Sequence, residues 1–119
     1  MGGINKMNKD INVKRGDIVL ACFYGRGSEQ HGLRPAVVIQ NDCGNKFSPT
    51  IIVGELTSKL KKQSMPTHTT VMANKLSMFL AEQIVTINKD RVIKIVGHVT
   101  EEEMSEINKT LLVSLGLTQ

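Results

Sequence analysis

Apolar residues along most of this chain recur in short, β-branched runs broken by Gly, Pro, Asn and Asp, and helical spacing appears only near the carboxyl end. Ile18–Tyr24 forms the first such run and is followed by a glycine cluster, which predicts a strand and then a loop. Ala36–Gln40 predicts a second strand, Asn41-Asp42 with Gly44-Asn45 a turn, and Thr50–Leu56 a third strand. Pro66–Met72 has a polar Thr-His-Thr-Thr centre, as suits an edge strand or one with an exposed face. Leu80–Ile87 and Val92–Val99 predict two more strands, joined at the turn-prone Asn88-Lys89-Asp90.

The period changes at Thr100. Thr-Glu-Glu-Glu sets an N-cap threonine three residues ahead of Glu103 and gathers carboxylates on the positive end of a helix. Met104, Ile107, Leu111, Leu112 and Leu115 then share one helical stripe, for core or for a dimer surface, and Gly116 is the expected stop. Several strands and one closing helix predict a mainly β, α+β fold: a small, strongly bent sheet or barrel with the C-terminal helix packed on it. Residues 1–12 read as a loose tail and 13–119 as a single domain.

Composition narrows the function. The 119 residues suffice for one modest core, and 40% hydrophobic with 22% charged residues is an ordinary globular balance. No apolar run approaches the roughly 18 residues that span a bilayer, and no secretory pattern opens the chain, so a cytoplasmic protein without membrane contact is expected. Cys22 and Cys43 have neither metal-cluster nor disulfide-framework spacing and read as free thiols. A net charge of +4 favours acidic partners, while 3% aromatic residues and no tryptophan argue against a broad base-stacking platform.

Two common chemistries drop out. His31, His68 and His98 lack metal-ligand spacing, and the glycines after the first strand are followed by no Gly-Lys-Ser/Thr, so neither a metal nor a nucleotide cofactor is expected. What remains is the loop from Gly25 to Pro35, which concentrates Arg26, Ser28, Glu29, Gln30, His31 and Arg34. Composition alone allows either a site or a solvated hairpin loop there. Lys59, Lys61 and Lys62 form a basic loop that either tracks phosphates or is simply solvated.

Three segments carry a resemblance. Val-Lys-Arg-Gly-Asp-Ile at 13–18, Gly-Ser-Glu-Gln-His-Gly-Leu-Arg-Pro at 27–35 and Val-Val-Ile-Gln-Asn-Asp at 37–42 resemble the MazF/PemK toxin family. Asn45-Lys46-Phe47-Ser48-Pro49-Thr50, Leu56-Thr57-Ser58, Pro66-Thr67-His68, Glu82-Gln83-Ile84 and Ser114-Leu115-Gly116-Leu117 follow in the family's order, so the likeness runs from Val13 to Leu117. It implies an SH3-like barrel that forms a homodimer, cuts single-stranded messenger RNA at short motifs and is neutralised by a MazE-type antitoxin lying in the RNA groove. It implies Arg34 and Thr57 as the catalytic pair.

Those residue types suit the task. RNA supplies its own nucleophile, the 2′-hydroxyl, so an enzyme has to align it with the phosphate and stabilise the charge of the phosphorane, with no metal required. Arg34 offers paired donors to non-bridging oxygens and Thr57 a further hydroxyl, giving a 2′,3′-cyclic phosphate and a 5′-hydroxyl. Glu29 is the expected general base, with His31 as its rival, and Ser28, Gln30, His31, Lys59, Lys61 and Lys62 are expected to contact RNA. Glu55 stands near Thr57, and side-chain alternation is expected to turn it to the opposite face.

Two departures from the family pattern bear on specificity: a short stretch between His68 and Glu82, and Val85 where arginine is common. The alternative reading is a non-catalytic binding module on the same fold, a gyrase-directed CcdB-like toxin or an inactive decoy. The presence of both Arg34 and Thr57 weighs against a decoy. A duplex-DNA regulator is disfavoured because the one clear helix begins with three glutamates.

Overall fold

The structure, a computed structural model, describes residues 11–23, 32–60 and 64–118. Among them are six strands: β1 (Asp17–Phe23), β2 (Gly32–Val38), β3 (Thr50–Thr57), β4 (His68–Met72), β5 (Leu76–Asn88) and β6 (Val92–His98). They form one antiparallel sheet in the order β4-β5-β3-β2-β1-β6. The sheet curls without closing, into a half-barrel whose edges are β4 and β6. The curl sets Met72–Lys75 and Lys94–His98 on opposite walls of a groove of about 650 Å³.

Side-chain alternation along the strands builds two cores, one on each face. Ile18, Val37, Leu56, Phe79 and Ala81 belong to one cluster, together with Ile107 and Leu111 of the terminal helix, α2 (Glu101–Ser114). Val19, Ala36, Val38, Ile51 and Val53 belong to the other, together with Val13, Phe23 and Val92. Each fully buried Val, Leu, Ile or Phe side chain among them stabilises the fold by about 1.5–3 kcal/mol. Ile11, expected in the tail, also packs on this second cluster; the rest of the tail up to residue 10 lies outside the described residues.

Three boundaries differ from the sequence expectation. The predicted turn after β2 is a short helix, α1 (Asp42–Phe47), because the Asn41 side chain accepts a hydrogen bond from Gly44 N–H and caps it. Buried Asn45 donates to the Gln40 carbonyl, tying the helix back to the strand end. β2 begins at Gly32, so Arg34 belongs to the sheet and not to the loop. β5 begins at Leu76 and carries extra residues around 80–83, where its register with β3 shifts.

The helix α2 starts as its sequence predicts. Thr100 Oγ1 accepts from Glu103 N–H at 3.0 Å and Glu103 Oε1 accepts from Thr100 N–H at 2.9 Å, a complete capping box. Glu103 Oε2 also accepts from the backbone N–H of Met72 on β4, at 2.8 Å. At the other end, Ser114 Oγ donates to the Ala81 carbonyl of β5. Met104, Ile107 and Leu111 of the predicted stripe pack on the sheet, whereas Leu112 and Leu115 are exposed.

Candidate active site

β2 and β3 are antiparallel neighbours, with Ala36 opposite Glu55, Val37 opposite Gly54 and Val38 opposite Val53. Two residues beyond the Ala36–Glu55 pair stand Arg34 on β2 and Thr57 on β3. A period of two keeps Arg34 on the face of Ala36, and Thr57 on the face of Glu55. These are one face of the sheet, away from α2. The two residues expected to act on RNA thus lie on adjacent strands of one surface.

Glu55 corrects an expectation. It does not turn away: its Oε1 lies 3.2 Å from Arg34 Nε. Residues 55 and 57 are two apart, so alternation places them on the same side. The Glu55 side chain is 9% exposed and that of Arg34 31%, so the carboxylate sits beneath and the guanidinium reaches outward. Small neighbours make room, since Glu55 pairs across to Ala36 and Arg34 to Ala21, both fully buried.

Burial dominates the Glu55 carboxyl and pushes its pKa above the usual carboxylate value, against the pull of the Arg34 charge and hydrogen bonding. The Arg34 Nε–H is buried and turned off the line of a well-directed hydrogen bond, so the contact is chiefly one of charge. Such contacts in unliganded sites commonly tighten when the substrate arrives.

Thr57 ends β3. Its Oγ1 accepts from Lys59 N–H at 3.1 Å, closing a small turn that fixes the hydroxyl. That bond uses an acceptor lone pair and leaves the O–H proton to be donated elsewhere. Lys59 itself is exposed just past the turn.

The same face continues across β5 and β4. Thr57 is opposite Met78, which is opposite Thr70, and His68 is opposite Leu80. His68 Nε2 lies 2.9 Å from Glu82 Oε2 with the imidazole 6% exposed. Burial tends to raise the Glu82 pKa, but hydrogen bonds from His68, its own backbone N–H and Thr67 outweigh it and hold the value low.

Ser28, Glu29, Gln30, His31, Lys61 and Lys62 lie outside the described residues. Among the described residues no group of three or more His, Cys, Asp or Glu is placed to hold a metal ion. Cys22 and Cys43 are free thiols. Sequence reasoning missed two pairings, Arg34–Glu55 and His68–Glu82. The first had a signal: a lone carboxylate inside the apolar run Ile51-Ile52-Val53-Gly54-Glu55-Leu56 needs a partner when buried.

Residues 14–115 match the family model of the PemK-like, MazF-like toxin of type II toxin-antitoxin systems. Over 111 residues the chain is 41% identical to the endoribonuclease MazF of Staphylococcus saprophyticus, covering 88% of this chain and 92% of that protein. Its fold is similar to a mycobacterial endoribonuclease solved with its cognate antitoxin, with a TM-score of 0.77, 24% identity and coverage of 90% of this chain and 98% of that one. It is likewise similar to MazF from Deinococcus radiodurans, with a TM-score of 0.76, 22% identity and coverage of 90% and 99%.

Proposed function

The chain belongs to the PemK-like, MazF-like toxin family of type II toxin–antitoxin systems, and on that premise we propose that it is a metal-independent endoribonuclease cutting single-stranded messenger RNA at short motifs. The observation that carries this reading is the placement of Arg34 and Thr57 on adjacent strands of one sheet face, with the guanidinium reaching outward from a buried carboxylate.

In the proposed reaction the 2′-oxygen attacks the adjacent phosphorus as the bond from phosphorus to the 5′-oxygen breaks. The 2′-hydroxyl proton passes to a base and a proton is delivered to the departing 5′-oxygen, leaving a 2′,3′-cyclic phosphate and a 5′-hydroxyl. Arg34 donates hydrogen bonds to the non-bridging oxygens, where negative charge gathers, and the Thr57 hydroxyl donates a further hydrogen bond to the same oxygens. A guanidinium carries its proton throughout and has no lone pair to accept another, so the base is assigned to Glu29, with His31 as rival. Ser28, Gln30, His31 and the lysines at 59, 61 and 62 are assigned to RNA contacts.

Regulation follows the family. In this reading the chain is a cytoplasmic homodimer whose RNA groove is occupied by a MazE-type antitoxin; the similar mycobacterial endoribonuclease is solved with its cognate antitoxin and the similar Deinococcus MazF with MazE. Among the described residues no helix is long and apolar enough to cross a membrane. We assign residues 13–119 to a single catalytic domain.

The test is cleavage of a long single-stranded RNA by purified protein in chelator, beside Arg34→Ala and Thr57→Ala, with the product ends identified. Discrete cuts bearing cyclic phosphates, lost in both variants, are the expected result. Intact RNA with a folded protein overturns the reading and favours a binding module on this fold. Loss of all activity on chelation overturns the metal-free mechanism.

A further inference from the structure

We propose that Glu55 is a positioning residue: its buried carboxylate holds the Arg34 guanidinium from the Nε side, so that the two terminal nitrogens face the scissile phosphate. This rests on the nuclease reading and adds a residue to it.

The geometry has three parts. A guanidinium presents paired donors along its Nε side and at its Nη end. Glu55 Oε1 stands 3.2 Å from Nε, occupying the side and leaving the end to a phosphate. The burial is graded, from a carboxylate 9% exposed to an arginine 31% exposed, so the anion lies behind the cation as seen from solvent. β3 is held in place at this point because Gly54, one residue earlier, lies directly against the buried Phe79 ring.

Stability alone gives little reason for a carboxylate here. Removing an ion pair from water is costly, and apolar residues of similar volume often replace such pairs without loss. Its neighbours Val53 and Leu56 are buried and apolar. A long arginine on a strand otherwise has many rotamers, and a misplacement of about 1 Å in a reacting group costs on the order of 10²-fold in rate. A carboxylate beneath the guanidinium selects one orientation before RNA arrives. Its negative charge also offsets part of the arginine's attraction for phosphate, so its benefit belongs on the chemical step, with RNA binding unchanged or weakened.

Several groups around Glu55 titrate or carry charge. Arg34 on β2 acts on it directly, and His68 on β4 with Glu82 on β5 occupies the same face among the described residues. The acid limb of the rate therefore has to be compared between proteins in which His68 and Glu82 are unchanged.

The experiment measures single-turnover cleavage against pH for the parent, Glu55→Ala and Glu55→Gln, with folding checked by circular dichroism. In parallel, the Arg34 Nε–Hε signal is followed by nitrogen-15 NMR. Glu55→Ala should lower the saturating single-turnover rate about 10- to 100-fold, with the half-saturating concentration unchanged or reduced. Glu55→Gln, which keeps the side-chain volume and a polar oxygen beside Nε but removes the charge, should restore part of the rate while the acid limb moves. The Arg34 signal should titrate in the parent and lose that titration in both variants.

A folded Glu55→Ala protein cutting at the parent rate with the parent's acid limb overturns the proposal and leaves the nuclease reading standing. If Glu55→Ala does not fold, Glu55→Gln decides: an acid limb and an Arg34 titration identical to the parent's overturn it. A parent that leaves RNA intact while its Arg34 signal follows Glu55 removes the nuclease reading, and with it the reaction role of Glu55.

Discussion

Gly54 and Phe79 are in contact so close that a Cβ on the glycine would stand 2.1 Å from Cε1 of the ring. Phe79 is fully buried and cannot swing aside. The glycine lets β3 pass beneath the ring and deliver Glu55 and Thr57 to the opposite face. Gly54→Ala should therefore destabilise the protein by about 1–3 kcal/mol, as overpacking of a filled core does. Urea unfolding measures it, and cleavage should fall with Arg34 and Thr57 both intact. An unchanged midpoint contradicts the packing described.

Thr57 can be tested at one atom. Thr57→Ser keeps the hydroxyl and should keep most of the cleavage rate. Thr57→Val keeps the volume, loses the donor and should cost on the order of 10²-fold in single-turnover rate. Equal rates in the two variants show that the threonine serves β3 and not the phosphate.

Lys59 separates a phosphate contact from a solvated loop. Lys59→Ala should weaken RNA binding alike across sequences and reduce the slope of log affinity against log salt by about 0.7 per protein site, the value for one phosphate contact on single strands. Filter binding at several salt concentrations reads it, and an unchanged slope returns the residue to the solvent.

The carboxylates on the site face pull stability in opposite directions with pH. Glu82 has a lowered folded pKa, so the stability it contributes is present above its unfolded pKa and is lost as pH falls through the folded value. Its side chain is 43% exposed, so screening limits the effect to a few tenths of a kcal/mol. Glu55 has a raised folded pKa, so its ionisation costs stability once pH rises through that value. Glu55→Gln should consequently raise the thermal midpoint at neutral pH, by an amount that shrinks in acid. Glu82→Gln should lower it at neutral pH, with the difference again shrinking in acid. Thermal melts across pH check both signs.

Much of the architecture was legible because single strands alternate and a capped helix announces itself. Thr100 and Glu103 predict their mutual hydrogen bonds, and the β-branched runs fall in the strands they predict. The start of β2 was not legible, because Gly32 and Pro35 read locally as loop residues and only pairing with β1 draws them into the sheet. The helix α1 hid behind turn-forming residues whose side chains cap it. At the site, Arg34 and Thr57 came from a family resemblance. The Glu55 contact joins residues on different strands, so it follows from the register of β2 on β3 and not from any local pattern.

The two oxygens of Glu103 answer to different parts of the molecule, one closing the helix cap and the other holding an amide of the edge strand β4. With Ser114 fastening the far end of α2 to β5, the helix is riveted at both ends to one hairpin. In amide hydrogen exchange the first turn of α2 and Met72 should trade protons together, as one cooperative opening unit and not as separately fraying ends. Release of that helix from the hairpin thus unlatches one wall of the groove beside it.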